Sequence, residues 1–229
     1  MKITTTFRNA LWDSFSLSYG FSTAYDSTGD SHTNDVSKFM KQFGAEGEVI
    51  LLDQVHGDKI IQVNERFNTT VLQQADGLIT NVPGKILTIK TADCVPVLLY
   101  DPVNKAIAAV HSGWRGTKDL IAVKALSFMN KAYDTNPSDT HVILGPAIKT
   151  CCYEVKDDTA SYFNKYPDSL ETRNGSMYLN VKLPIIKDLK DAGVNSIQNI
   201  DSCTGCSGES LCSWRMHKTR KRQYACISL

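Results

Sequence analysis

Two apolar runs, residues 97–100 and 106–110, are separated by Asp101-Pro-Val-Asn-Lys105, a segment with turn chemistry. Short runs of this kind flanking a turn predict an antiparallel hairpin. Strands that double back place the residue before the first strand beside the residue after the second. Cys94 and His111 are that pair. This is the best geometric constraint the sequence offers, because it joins two chemically active side chains through local structure alone.

Around the hairpin, residues 49–52, 59–63, 85–90, 141–144, 196–200 and 223–228 read as strands. Residues 26–35 read as a polar loop and 36–43 as a short helix. Thr117 is the expected N-cap of a further helix, with Asp119 in its first turn and Ile121, Ala125, Phe128, Met129 and Ala132 at helical spacing. Residues 157–165 and 181–192 also read as helices, the latter capped by Asn180 and stopped by Gly193. Hairpins mixed with helices favour an α+β (mixed α/β) layered architecture, with mixed β-sheets flanked by helices, over a doubly wound parallel sheet. The 229 residues suffice for one large domain or two small ones, and no repeat, low-complexity tract or long linker divides them.

The chain is 42% apolar and 21% charged, with a formal net charge of +1. It lacks the broad positive field of nucleic-acid binders, so no nucleic-acid partner is expected. The run Arg215-Met-His-Lys-Thr-Arg-Lys-Arg222 is locally basic, which suits either a solvated face or a site for an anionic substrate group. The first residues lack the apolar core of a signal peptide, and no run approaches a membrane span. Seven cysteines, an odd number, without an export signal point to reduced thiols and a cytoplasmic location.

His56, Cys94 and His111 each stand at the end of an apolar run beside a polar turn. Two imidazoles and a thiolate are ligand types that zinc prefers, and three protein ligands leave a position for water, as in catalytic zinc sites. A core cysteine with two hydrogen-bonded histidines would give the same pattern. Cys203-Thr-Gly-Cys206, with Cys212 and His217 nearby, has the look of half a structural zinc site, but the usual second CxxC is absent. Cys151 and Cys152 are adjacent, and adjacent side chains point different ways on most backbones. Cys203 and Cys206 are therefore expected to be structural thiols rather than a second metal site. There is no HExxH, no HxE paired with PCxxC, no GxGxxG and no P-loop. Five histidines are too few for a conventional multicopper oxidase.

A set of ordered motifs adds to this reading: Asp53-Gln-Val-His-Gly57, Ala75-Asp-Gly-Leu-Ile-Thr80, Thr91-Ala-Asp-Cys-Val-Pro-Val-Leu-Leu99, Ala109-Val-His-Ser-Gly-Trp-Arg-Gly-Thr117, Gly145-Pro-Ala-Ile148 with Cys151-Cys-Tyr-Glu-Val155, Cys203-Thr204 and Ser213-Trp-Arg215. Over roughly residues 45–229 the chain resembles the YfiH-type laccase-domain family, whose members have been labelled polyphenol oxidase, peptidoglycan editing factor and purine nucleoside phosphorylase. The resemblance implies a single layered domain over 1–229 with mixed sheets, and zinc (alternatively copper) on His56, Cys94 and His111, the expected catalytic group. It also implies phosphorolysis of adenosine, inosine, guanosine and methylthioadenosine, and hydrolytic deamination of adenosine. The expected partners are thus a nucleoside and phosphate, with no membrane, for a monomer or homodimer. Arg115, Arg215 and Arg222 are candidates for a phosphate cradle, and Asp93 or Glu154 for proton transfer, though each also suits an ordinary surface or hydrogen-bonding role.

The chain departs from the family pattern in two places. Ala24 stands where the family usually has an arginine after Phe-Ser-Thr, and Met216 replaces the second arginine after Ser-aromatic-Arg. Three other readings stay open: an amide hydrolase with Cys94 as nucleophile and His111 as base, a copper-binding polyphenol oxidase, and a non-catalytic metal-binding module.

Overall fold

The computed structural model describes residues 5–7, 10–23 and 31–229. Strand Val95–Asp101 pairs antiparallel with Ala106–Ser112, so the hairpin forms, and His111 stands opposite Pro96. Asp101 closes its turn by accepting the backbone N–H groups of Val103 and Asn104 at 2.9 and 3.1 Å. The hairpin is the centre of a six-stranded sheet ordered Ser196–Asn199, His141–Leu144, Val95–Asp101, Ala106–Ser112, Gly77–Thr80, Ile60–Gln62. The two outermost pairings are parallel and the inner three antiparallel, which makes the sheet mixed. A five-stranded sheet runs Thr5–Phe7, Ser18–Ser22, Gln223–Ser228, Lys85–Thr91, Glu48–Ile50.

Alternation along the strands sorts the core into layers. Leu98, Tyr100, Ile107 and Ala109 face the second sheet, meeting Tyr19, Phe21, Leu87, Ile89, Ala225 and Ile227. On the opposite side, Val97, Leu99, Ala108 and Val110 pack against helices Ile121–Tyr133 and Lys182–Asp191. The outer face of the five-stranded sheet, through Ile86, Tyr224 and Cys226, packs on Val36, Phe39 and Met40 of helix Ser31–Lys41. The architecture is therefore helix, sheet, sheet, helix: the layered α+β arrangement with mixed sheets. Both faces of the hairpin are covered, which is why its strands read as continuous apolar runs rather than as alternating ones.

Several boundaries differ from the sequence expectation. Residues 31–35 belong to helix Ser31–Lys41 rather than to a polar loop, while 26–30 and Ala24 lie outside the described residues. The expected strand at 49–52 divides into Glu48–Ile50 and Leu52–Asp53, which join different sheets. Thr117 is not an N-cap. It lies inside a short helix, Trp114–Lys118, and its hydroxyl pairs with that of Ser112 at 2.8 Å. The longer helix begins at Ile121 after Leu120, which is left-handed at φ 60°. Val181, not Asn180, is the N-cap of Lys182–Asp191, although the Asn180 side chain accepts the Lys182 N–H at 3.2 Å. A small sheet of Glu154–Val155, Ser176–Leu179 and Leu170–Arg173 had no clear sequence signal.

Candidate metal centre and its cavity

Three segments converge at one end of the six-stranded sheet. Cys94 immediately precedes strand Val95–Asp101, His111 lies near the end of Ala106–Ser112, and His56 comes from the loop after Leu52–Asp53. One ligating atom from each lies within 4.8 Å of the others. The two imidazole rings stand edge to face, 4.8 Å apart between centroids.

Asp76, from the Ala75-Asp-Gly motif, organises this group and was not anticipated from sequence. It has no exposed surface. Its Oδ1 pairs with His111 Nδ1 at 2.7 Å and accepts the His56 N–H at 3.0 Å. Its Oδ2 accepts the Gly57 and Val55 N–H groups at 2.7 and 3.2 Å. These bonds hold His56 at φ 62°, a left-handed conformation that a non-glycine residue adopts only when its surroundings fix it. Occupation of His111 Nδ1 leaves Nε2 as the ligand atom, the usual arrangement of a metal-binding histidine backed by a carboxylate.

The electrostatics follow from this packing. Burial alone would raise the Cys94 thiol, but the charge of His111 and hydrogen bonds from both imidazoles outweigh it and bring the pKa to about 6. Burial would lower His111, yet Cys94 and Asp76 raise it to about 9. Burial likewise opposes ionisation of Asp76, and the hydrogen bonds from His111 and Gly57 hold it below the usual carboxylate range. Gly113 keeps the space open: a Cβ there would lie 3.0 Å from Cys94 Sγ and 3.5 Å from the His56 ring. The donor set, its mutual distances and the carboxylate behind His111 fit a metal ion.

These residues lie at a cavity of about 520 Å³. Of the expected substrate-binding residues, Asp93, Arg115, Arg215 and Arg222 line it. Glu154 does not: it is exposed and accepts a hydrogen bond from Ser176 Oγ at 2.8 Å. Asp93 has both carboxylate oxygens occupied, by Thr204 Oγ1 and the Arg215 N–H, each at 2.7 Å. At φ 92° its backbone is also conformationally constrained, and its two hydrogen bonds tie the Thr204 and Arg215 segments to the residue before Cys94. The Arg115 guanidinium lies 4.4 Å over the Trp114 ring, and that of Arg215 lies 5.1 Å over Tyr153. The sequence reading missed Lys90, Gln54, Tyr153 and Trp214 in the lining. Of these, Gln54, Tyr153 and Trp214 fall within the quoted motifs, and Lys90 lies just before the one that begins at Thr91. Lys90 is held below the usual lysine range by burial and by Arg222, against an opposing effect of Asp53.

This fold and donor group define a class that the comparisons identify. A model of the family described as multi-copper polyphenol oxidoreductase laccase matches residues 9–229, and the chain belongs to that family, as the YfiH-type motifs implied. A purine nucleoside phosphorylase of Clostridium acetobutylicum is 36% identical over 179 residues, covering 77% of this chain and 74% of the relative. One from Aquifex aeolicus is 31% identical over 194 residues, covering 85% and 88%. The crystal structure of the hypothetical protein YfiH of Bacillus licheniformis superimposes with a TM-score of 0.84 at 27% identity, covering 93% of this chain and 92% of that one. YlmD of Geobacillus stearothermophilus gives 0.79 at 26% identity, covering 93% and 91%. The family description names several coppers, yet only His56 and His111 of the five histidines lie in a donor group among the described residues. His32 instead bonds Tyr224, and His141 bonds Ser196. No helix among the described residues is long and apolar enough to cross a membrane.

Proposed function

We propose that this chain is a zinc-dependent purine-nucleoside enzyme that cleaves nucleosides with phosphate and hydrolytically deaminates adenosine, acting in the cytoplasm as one domain over 1–229. The observation that carries this reading is the meeting of the His56–Cys94–His111 group with a cavity walled by both aromatic rings and cations. Purine nucleoside phosphorylase is also the printed name of the relatives above. Tyr153 and Trp214 offer flat apolar faces to a purine. Arg115, Arg215, Arg222 and Lys90 offer charge-assisted donors to phosphate. A zinc ion on the three donors would supply Lewis acidity and lower the pKa of water toward neutrality. Asp76 fixes the tautomer and orientation of His111, and Asp93 holds the Thr204 hydroxyl and the backbone of Arg215.

Phosphorolysis and deamination make different demands, since only the first needs an anion cradle. With alanine at position 24, phosphorolysis is expected to be the more impaired of the two. Arg222→Ala should lower it further, by about 30- to 1,000-fold, with a smaller effect on deamination. The test is product analysis of adenosine incubated with and without phosphate, beside elemental analysis of protein purified without added metal. Inosine formed without phosphate, and free base with ribose-1-phosphate formed in its presence, would support the reading. Neither product from zinc-loaded protein would overturn it.

One observation favours a second reading. Cys94, His111 and Asp76 also form a thiolate, imidazole and carboxylate relay suited to amide hydrolysis. A third donor, His56, at the same thiolate favours the metal. Undiminished metal content in Cys94→Ala would reverse that preference.

A further inference from the structure

We propose that Cys151, Cys152, Cys203 and Cys206 form a second, structural metal site that takes a single tetrahedral ion, zinc by the softness of its four sulfur ligands. From sequence, Cys203 and Cys206 are expected to be structural thiols because a second CxxC is absent, and Cys151 and Cys152 because adjacent side chains point different ways on most backbones. The fold brings them together: all four sulfur atoms lie within 4.8 Å of one another. Cys206 Sγ is 3.2 Å from the sulfurs of both Cys151 and Cys152. With zinc–sulfur bonds of about 2.3 Å, tetrahedral ligands stand about 3.8 Å apart, so the quartet has the span of one ion. An iron–sulfur cluster distributes its cysteines over several irons and requires a wider frame. Four sulfur ligands fill the coordination sphere, which marks a structural rather than a catalytic centre.

Three independent features point to a metal rather than to thiols that happen to be neighbours. The backbone N–H groups of Lys149, Gly205 and Cys206 are placed to favour the thiolate of Cys203, the kind of outer polar contact that supports a metal-bound sulfur. Gly205 permits the close approach: a Cβ there would lie 2.7 Å from Cys152 Cβ and 2.8 Å from its Sγ. Four thiolates and a divalent ion leave a net charge of about −2, and Lys149 and Lys182 lie within electrostatic reach of Cys203 to offset part of it, although Lys149 is also paired with Asp201. Binding would release the four thiol protons to solvent and form four metal–sulfur bonds, with no change of oxidation state.

The ion would join two loops that build one wall of the cavity. Ala147 bridges Cys203, and Thr204, next to Cys203, bonds Asp93. Tyr153, next to Cys152, faces the cavity. The site would therefore hold the Tyr153 and Arg215 wall in register with Cys94.

Metal content of the full-length protein, purified under reductant without added metal, tests this. Wild type should carry about two ions per chain, Cys206→Ser about one and Cys94→Ala about one, so that the second site is distinguishable from the catalytic one. An ion lost in Cys206→Ser but kept in Cys94→Ala would support this site even if the proposed activity failed. Cobalt-loaded Cys94→Ala provides a measurement that does not depend on Cys206→Ser folding: it should show the charge-transfer and ligand-field bands of a tetrathiolate tetrahedron. Metal content unchanged by Cys206→Ser, a single ion that disappears in Cys94→Ala, or a disulfide among the four cysteines in place of metal would overturn the proposal.

Discussion

Asp76 is fully buried, and its two carboxylate oxygens accept three backbone amides and the His111 imidazole. One side chain thus fixes the backbone of His56 and the ring of His111, so the geometry of both imidazoles depends on it. Asp76→Asn nearly preserves volume but removes the negative charge and one acceptor oxygen. Loss of such a backing carboxylate typically weakens metal affinity by about 10- to 100-fold, and that is the expected result here, measured by competition with a chromogenic chelator. An affinity within about threefold of wild type would show that the imidazoles are oriented without it. His56 and His111 were visible in the sequence by residue type. Asp76 was not, although its motif was, because an aspartate before a strand glycine is equally common as a turn residue.

At the level of elements, the hairpin was the most legible part of the chain. Its turn chemistry and two apolar runs are local signals, and the resulting register carries Cys94 and His111 to the same end. The start of the helix after His111 was less legible. Thr117 has the composition of a cap, but the Ser112 hydroxyl captures it, and the turn at Trp114–Lys118 places Arg115 at the cavity. Where strand His141–Leu144 ends, the chain passes close between the sheets at Gly145. A Cβ there would lie 2.3 Å from the Phe21 ring and 2.7 Å from Pro96 Cγ. Phe21 is only 1% exposed and cannot swing into solvent, so Gly145→Ala should destabilise the protein by about 1–3 kcal/mol, read as a lower denaturant midpoint with an unchanged slope. An unchanged midpoint would mean that the two sheets separate more easily than this packing implies.

Across the whole molecule, the features that the sequence could not reveal depend on distant segments meeting: the cysteine quartet, the place of Lys90 beside the anticipated arginines of the cavity, and the buried lysine that joins one helical layer to the sheet beneath. Lys182, at the start of Lys182–Asp191, is 2% exposed and donates to Asn199 Oδ1 at 3.0 Å and the Ile200 carbonyl at 2.6 Å. Burial, opposed by Asp201 and reinforced by Lys149, lowers its pKa from 10.5 to about 8. In the unfolded chain the ammonium keeps its proton until about pH 10.5, whereas in the folded protein it loses it near pH 8. Between those values the unfolded state binds more protons, so this group makes stability rise with pH; below about pH 8 both states are protonated and the full penalty remains. The window of about 2.5 pH units corresponds to at most roughly 3 kcal/mol. Other lysines and tyrosines also titrate in this range, so the informative quantity is the difference between wild type and Lys182→Met. Urea unfolding of both proteins across this range should show wild type gaining stability relative to the variant as pH rises, whichever is more stable at neutral pH. A difference that stays flat with pH would mean that the Lys182 ammonium is as well solvated in the folded protein as in the unfolded chain.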